Sequence, residues 1–487
     1  MKSSTVFKCL IILGYFLAGC AGPTNALGPS PSATPENQLQ PDPSSTPIID
    51  PVPGELVDYV VQSGDTLSAV AAHFNTTTDE IIQANPGFPT DMTTLPPGLP
   101  LTIPAYFLPL TGSSFQVIPD SEVVYGPSAV EFDLAGEISA RPGFLNSMSD
   151  YLYKHTRPAW EVVELVASEY SIHPRLLLTL LEFQTNALTN PTPEAFLQEF
   201  PLGIEDQLLR GLYWQLSWAA GKVNDGYYGW RTGVLEEFSL ADGYILRPNS
   251  WQNAGTIGLY SLFSELYGLD DLTLIMSPDG FQKTYRDLWG DPFAYEIETI
   301  PANLQQPEVG LPFEPGIIWD YSAGPHFSWG SSLPLGALDF APPAVEGGCA
   351  QSEVWIASPA VGRVVRSENS TVVLELDEDN DERTGWMLLF FHVEERDRIS
   401  PDLPVQPGDK LGHPSCEGGR ATGTHFHTAR RYNGEWLPAA GTLPFVLDGW
   451  VVEYGDEPYL GTMIKGSITV EACTCTTSAN RIIYEFP

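Results

Sequence analysis

The chain is short of positive charge. Its 487 residues hold 23 lysines and arginines against 61 aspartates and glutamates, a formal net charge of −38. Nucleic-acid binding needs clustered cations to displace counterions from phosphate, so that class of partner is excluded. Electrostatic docking on anionic lipid is excluded for the same reason. Beyond the first twenty residues, no apolar run reaches the ~18–20 residues needed to span a bilayer. No P-loop, dinucleotide fingerprint or G-x-S-x-G elbow occurs. Cysteine is scarce, with six in the chain, and no C-x-x-C pair is present to start a zinc knuckle. Histidine is equally scarce: of eight, five fall between positions 326 and 427.

The composition is 43% hydrophobic and 11% aromatic. That is enough for real cores, and the length suits about three domains of ~150 residues. Lys2 and Lys8 form a positive stretch ahead of a short apolar run, Cys9 to Ala18, as in an export signal. Leu17-Ala18-Gly19-Cys20 resembles the lipobox of bacterial lipoproteins. That resemblance implies cleavage after residue 19 and lipidation of Cys20, a membrane contact through a lipid anchor only, and a place in the cell envelope outside the cytoplasmic membrane. Residues 20–54 are rich in Pro, Ser and Thr and carry few large apolar side chains, which marks a tether, extended and unable to fold. An even set of four cysteines remains in the exported chain. Four cysteines allow three pairings; Cys349 with Cys416 and Cys473 with Cys475 is the expected one.

Residues 55–105 read as a β-α-α-β unit. Asp58-Tyr-Val-Val-Gln62 alternates like a strand, and Ser63-Gly64-Asp65-Thr66 is a turn able to cap a helix. Leu67, Val70, Ala71 and Phe74 recur at helical spacing, a second helix fits Thr78 to Asn85, and Pro100 to Pro104 closes as a strand. The whole phrase resembles a LysM domain. The resemblance implies binding to N-acetylglucosamine glycans such as peptidoglycan, between the first strand–helix loop and the second helix–strand loop, at Gly64, Asp65, Thr66, Asn85 and Pro86. Each of these residue types also favours turns and caps on its own account.

Residues 106–140 read as a linker and 141–305 as a mainly helical domain. Trp160, Val163, Val166, Ala167 and Tyr170 share one helical face, Pro174 opens a second helix, and Leu208, Leu212, Leu216 and Ala220 form an i, i+4 ladder. The aromatic residues Trp214, Trp218, Tyr227, Tyr228 and Trp230 read first as core and second as a glycan-stacking surface. The stretch around "PRLLLTLLEFQ" faintly resembles lytic transglycosylases. Gln184-Thr185 replaces the Glu-Ser pair there, and glutamine cannot serve as a general acid. A glycosidase built on this domain is therefore a weak alternative.

Residues 306–460 carry short β-rich runs separated by Gly and Pro turns, the pattern of an antiparallel β domain; 461–487 reads as a tail. In Thr424-His425-Phe426-His427, the alternation of a strand puts both imidazoles on one face. His326 and Asp339 are thirteen residues apart, too far for one strand face, and could meet across a loop. Two histidines and one carboxylate would leave zinc an open fourth position. His392 lies inside the strand-like "LLFFHVEE". The order H…D…H…H-x-H resembles the M23 zinc metallopeptidases, and the long first spacing resembles their β-lytic branch; position 335, where the compact H-x-x-x-D would need histidine, is Leu. The resemblance implies Zn2+ held by His326, Asp339 and His427, with His392 and His425 as acid–base and transition-state-stabilising histidines. It implies an endopeptidase of peptidoglycan stems or cross-bridges, in which the metal lowers the pKa of a water toward ~7. The alternative is an inactive wall-binding protein, or an activator of other wall hydrolases. Asp377, Asp379 and Asp381 are spaced as in a calcium loop, but the EF-hand glycine is missing and the twelfth position is Leu388, so this run reads as a solvated hairpin tip.

Overall fold

The computed structural model describes residues 52–106, 112–343, 347–377, 379–475 and 477–484. The export signal, Cys20 and all but the last few residues of the tether lie outside the described residues. Among the described residues no helix is long and apolar enough to cross a membrane.

Strands β1 (Glu55–Val60) and β2 (Pro100–Ala105) pair antiparallel around helices α1 (Leu67–His73) and α2 (Thr78–Ala84). The side chains of Thr66 and Thr77 accept hydrogen bonds from Ala69 N and Glu80 N, so each helix starts on an oxygen cap. Tyr59, Val70, Phe74, Ile81 and Ile103 fill a small core of their own.

The helical part comprises α3 (Leu134–Ser139), α4 (Ala159–Tyr170), α5 (Pro174–Thr185), α6 (Leu212–Thr232), α7 (Ala254–Ser264), α8 (Leu269–Ile275) and α9 (Phe281–Trp289). Pro174 occupies the first turn of α5, where its missing N–H costs nothing. Helix α6 begins at Leu212, so the apolar ladder is one position shorter than its spacing predicts, and Leu208 is exposed. The stretch expected as a linker differs from that expectation: Val117, Ile118, Val123 and Val124 are buried in the helical core. Of the aromatic set, Tyr227, Tyr228 and Trp230 are core, whereas Trp214 is 53% exposed.

The C-terminal part is built on one antiparallel sheet. Its strands are β3 (Ile318–Trp329), β4 (Ser332–Ala341), β5 (Gly362–Glu368), β6 (Thr371–Glu375), β7 (Trp386–Phe391), β8 (Pro404–Val405), β9 (Phe426–Tyr432) and β10 (Arg481–Ile483). They lie in the order β8-β5-β6-β7-β9-β4-β3-β10, and Glu435–Trp436 adds a short pair to β9. Residues 461–487 are thus more than a tail: β10 forms the sheet edge beside β3, and Gly461–Lys465 and Ile468–Glu471 belong to a second, four-stranded sheet. Val372, Leu374, Leu388 and Phe390 point into the core of the C-terminal part, while Val373, Met387 and Leu389 join the helical core. The sheet is therefore buried on both faces, which is why β6 and β7 are near-continuous apolar runs instead of alternating ones.

Candidate active site

His326, Asp339 and His427 meet at the middle of this sheet. Asp339 stands directly opposite His427 in the β4–β9 register, so the two side chains share a face. On its other side β4 pairs with β3, where the register slips between Ala323 and His326. That irregularity re-aims His326 toward Asp339, as bulges do beside sites. The thirteen-residue separation is thus closed by a strand hairpin, and His326 sits on a strand where a loop contact was expected.

The three facing atoms form a tight triangle. His326 Nε2 lies 3.0 Å from His427 Nδ1 and 3.1 Å from Asp339 Oδ1, and His427 Nδ1 lies 3.3 Å from that oxygen. Each ring's other nitrogen faces a backbone carbonyl: His326 Nδ1 to Gly324 O at 2.8 Å, and His427 Nε2 to Ser328 O at 3.0 Å. A carbonyl only accepts, so those nitrogens carry the protons and the facing ones carry lone pairs. Asp339 Oδ1 is buried and receives no hydrogen bond. Three lone-pair atoms pressed together and starved of protons fit a bound cation. Tetrahedral bonds of about 2.0–2.1 Å put ligand atoms about 3.3 Å apart, close to the sides of this triangle. The N2O donor set suits zinc, and the backbone carbonyls orient both rings from behind.

Two further imidazoles flank the triangle. His425 precedes β9, its Nδ1 bonded to Gly423 O at 2.7 Å and its Nε2 3.6 Å from Asp339 Oδ2. His392 follows β7 with its Nδ1 on Glu417 O at 2.7 Å, and the His392 and His425 ring centroids are 4.6 Å apart. The sequence places His392 inside a strand. In the fold the strand stops at Phe391 and His392 takes a left-handed φ of 64°. A non-glycine residue held there costs about 1–2 kcal/mol, and Ser415 N and Oγ fix its carbonyl.

Burial, helped by the neighbouring His425, lowers the His392 pKa to about 4. Burial also lowers that of His427, against the pull of Asp339. At His326 burial works downward, but the Asp339 carboxylate beside it wins and the net shift is up. Asp339 is held well below its usual range because His326 and its neighbours outweigh burial. Asp339 is therefore held ionised and His427 neutral, the states in which a carboxylate and an imidazole bind a metal.

The site opens into a cleft of about 610 Å³ whose far wall belongs to the helical part: Tyr151, Tyr153, Tyr213 and Trp214. A second groove of about 970 Å³ continues past Asp339, His425 and Arg420, giving room for an extended chain on both sides of the triangle. Tyr459 was not legible in the sequence. Its ring stacks on His326 with centroids 4.7 Å apart, and its backbone bonds Pro325 and Gly324. It arrives from over a hundred residues downstream, with no spacing signal to mark it.

The cysteines pair as Cys349–Cys416 and Cys473–Cys475. The first bridge anchors the loop that meets Thr424, whose N–H donates to Gly348 O at 3.0 Å. In the middle region Glu182 receives Leu188 N and Thr189 Oγ1, and Gln184 Oε1 accepts from Tyr267 Oη, so both carboxyl and amide oxygens are engaged within the fold.

Of the LysM-side residues, Asp65 is buried, and with Thr66 and Asn85 it holds the turns of the module together. Asp65 accepts from Tyr59 Oη at 2.6 Å and Gln62 N at 2.8 Å, and burial pushes its carboxyl up to about 6. Thr66 caps α1, Asn85 bridges Ile81 and Thr102, and Pro86 is exposed. Gly64 has φ +81°, and a Cβ there would run into the Arg231 guanidinium. The chain's own segment 300–304 lies between the two loops expected to hold glycan. Ser63 Oγ bonds Ile300, and Thr94 takes Pro301, Asn303 and Leu304.

Comparison with known proteins places these parts in class. Residues 59–104 match the LysM domain and residues 116–303 the LasA N-terminal domain. The chain therefore carries a LysM domain, a helical LasA-type domain and a β-rich C-terminal part. The faint transglycosylase likeness of the middle region gives way to that second match. Over 365 residues the chain is 25% identical to Protease LasA of Pseudomonas aeruginosa, in two strains, spanning 70% of this chain and 78% of the relative. Among solved structures it is similar to the M23 metalloprotease pseudoalterin from the deep sea, at 22% identity over 34% of this chain and 96% of that one, with a TM-score of 0.29. It is also similar to the lysostaphin catalytic domain from Staphylococcus simulans, at 16% identity over 25% and 87% of the two chains, with a TM-score of 0.19.

Proposed function

We propose that this chain is a zinc-dependent endopeptidase that hydrolyses peptide bonds in peptidoglycan, held at the cell envelope by a lipid on Cys20. The observation that carries the reading is the proton-starved triangle of His326 Nε2, His427 Nδ1 and Asp339 Oδ1 with two further imidazoles at its rim. The likeness to Protease LasA and the LysM domain support the cell wall as substrate.

His326, Asp339 and His427 would hold the ion, which when bound supplies Lewis acidity to a water and to the scissile carbonyl. The remaining work falls to the chain. His392 and His425 each present an unprotonated Nε2, since their Nδ1–H groups are committed to Glu417 O and Gly423 O. One takes the proton of the attacking water and delivers it to the departing amine; the other, after taking a proton from solvent at its Nε2, donates it in a hydrogen bond to the developing oxyanion. Tyr459 and the aromatic wall from residues 151–214 confine the substrate and exclude water.

The test uses the purified full chain, loaded with Zn2+, on isolated peptidoglycan. Release of new amino termini is expected, and it should vanish in His326→Ala together with stoichiometric zinc. New reducing sugar ends without new amines would instead place the chemistry in a glycosidase, and absence of both would leave a wall-binding protein.

A further inference from the structure

The β6–β7 hairpin ends in an acidic tip that the histidine site does not use. Glu375, the last residue of β6, is fully buried at 0% exposure. Its Oε2 accepts from Asn380 N at 2.9 Å, but its Oε1 is buried with no hydrogen-bond partner. Asp377 and Asp379 rise from the same tip, and one oxygen from each of the three carboxylates lies within 4.8 Å of the others. Among the described residues none of the three is in an ion pair. The arginines of the tip serve other acids: Arg383 with Asp381 at 2.6 Å and Arg366 with Glu382 at 3.0 Å.

Such an arrangement is unfavourable as it stands. A buried carboxylate oxygen without a donor loses its solvation and gains nothing, and three negative charges at this range repel. Burial, with Asp379 and Glu375 alongside, pushes the Asp377 carboxyl up to about 7. A divalent cation would relieve both terms. The donors are oxygen only, which selects a hard ion over zinc, and an open, flexible tip suits the variable geometry of calcium better than the strict octahedron of magnesium. Asp377 and Asp379 are exposed, leaving room for waters to complete the shell.

We propose that Glu375, Asp377 and Asp379 form a calcium site at the β6–β7 tip, distinct from the histidine cluster at the other end of β7. Six strand residues, about 20 Å, separate the two. The tip is a docking element. Arg383 donates to Ala129 O at 3.1 Å and lies over the Tyr125 ring, and Gly385 N donates to Asn433 Oδ1 at 2.8 Å. Gly385 has φ +60°, and a Cβ there would collide with the Asp377 carboxylate, so the turn is shaped around that side chain. Calcium would fix the tip against the helical part.

Calorimetric titration of the zinc-loaded full chain with CaCl2 tests this, together with thermal unfolding in calcium-free buffer and in about 10 mM calcium, well above the Kd of 10⁻⁴–10⁻³ M typical of exposed extracellular sites. One ion per chain and a Tm rise of about 2–4 °C are expected. Asp377→Asn should weaken binding at least ~tenfold while leaving the calcium-free Tm equal or higher, because one repelling charge is gone. Asp379→Asn, at an exposed position, gives a second reading should the first variant fold poorly. His427→Ala should bind calcium as the parent does. No heat and no Tm shift, undiminished binding in both Asn variants, or an equal response to magnesium would each overturn the assignment.

Discussion

Arg231 of α6 reaches Glu435 beyond β9, with Nη2 3.1 Å from Oε1 and the two side chains 8% and 4% exposed. The same guanidinium pairs with Asp120 at 3.0 Å and donates to the Ser63 carbonyl of the LysM loop. One cation thus joins three parts of the chain. Glu435 also receives Tyr227 Oη at 2.9 Å and Thr299 Oγ1 at 2.7 Å, so removing the arginine leaves two carboxylates buried without their charge partner. Breaking a buried pair this way costs about 3–5 kcal/mol. Arg231→Ala should lower stability by that amount in chemical denaturation, and Arg231→Ala with Glu435→Gln should lose less than the two single changes added. Additive losses would show that the pair is not coupled.

The five candidate histidine and aspartate positions divide into two classes with different failures. His326→Ala, Asp339→Ala and His427→Ala each remove one corner of the triangle and should lose zinc and activity together, seen by metal analysis beside amine release. His392→Ala and His425→Ala leave the triangle intact, so zinc should stay near one per chain while kcat falls about 10²–10⁴-fold. Loss of zinc in either of the latter would move that residue into the ligand set.

Much of this was open to reading in the sequence, and the remainder was hidden for physical reasons. The alternation in Thr424-His425-Phe426-His427 fixes two imidazoles on one face, and Phe426 does pack away from them, against Trp319 and Phe340. The long β3–β4 hairpin was not legible, because its glycines and prolines, Gly324-Pro325 and Pro334-Leu335-Gly336, look like turns when they are register irregularities inside strands. The left-handed backbone of His392 leaves no mark in a single sequence either. The apolar runs of β6 and β7 read as strands, yet they say nothing of what covers the second face. Only the packing of Val373, Met387 and Leu389 into the helical core shows that the LasA-type domain does.

Glu169 on α4 should make stability depend on pH. Burial pushes its carboxyl up to about 7, in spite of hydrogen bonds from Tyr213 Oη at 2.8 Å and Tyr153 Oη at 3.1 Å. The folded pKa exceeds the unfolded value, so the fold favours the neutral acid. Its contribution is whole below the unfolded pKa of about 4.3 and is lost as pH rises through about 7. Glu169→Gln keeps the shape without the titration. Between pH 5 and 8 the variant should lose less stability with rising pH than the parent, and parallel stability curves would exclude Glu169 as the source.

The segment between the LysM loops makes a prediction about glycan binding. Ile300 is 2% exposed and its backbone exchanges two hydrogen bonds with Ser63 Oγ, while Thr94 holds Pro301 and Leu304. A sugar entering between Ser63 and Thr94 must displace this segment, and its apparent affinity is reduced by the fraction of chains in which the segment is out. Ile300→Ala removes buried contacts of the segment and leaves every LysM side chain in place. Loosening it by even ~1.4 kcal/mol raises the open fraction about tenfold while closure dominates. N-acetylglucosamine oligomers should therefore bind Ile300→Ala at least ~tenfold more tightly than the parent in calorimetry. Equal affinity would mean that glycan and segment do not compete and that the sugar sits elsewhere on the module.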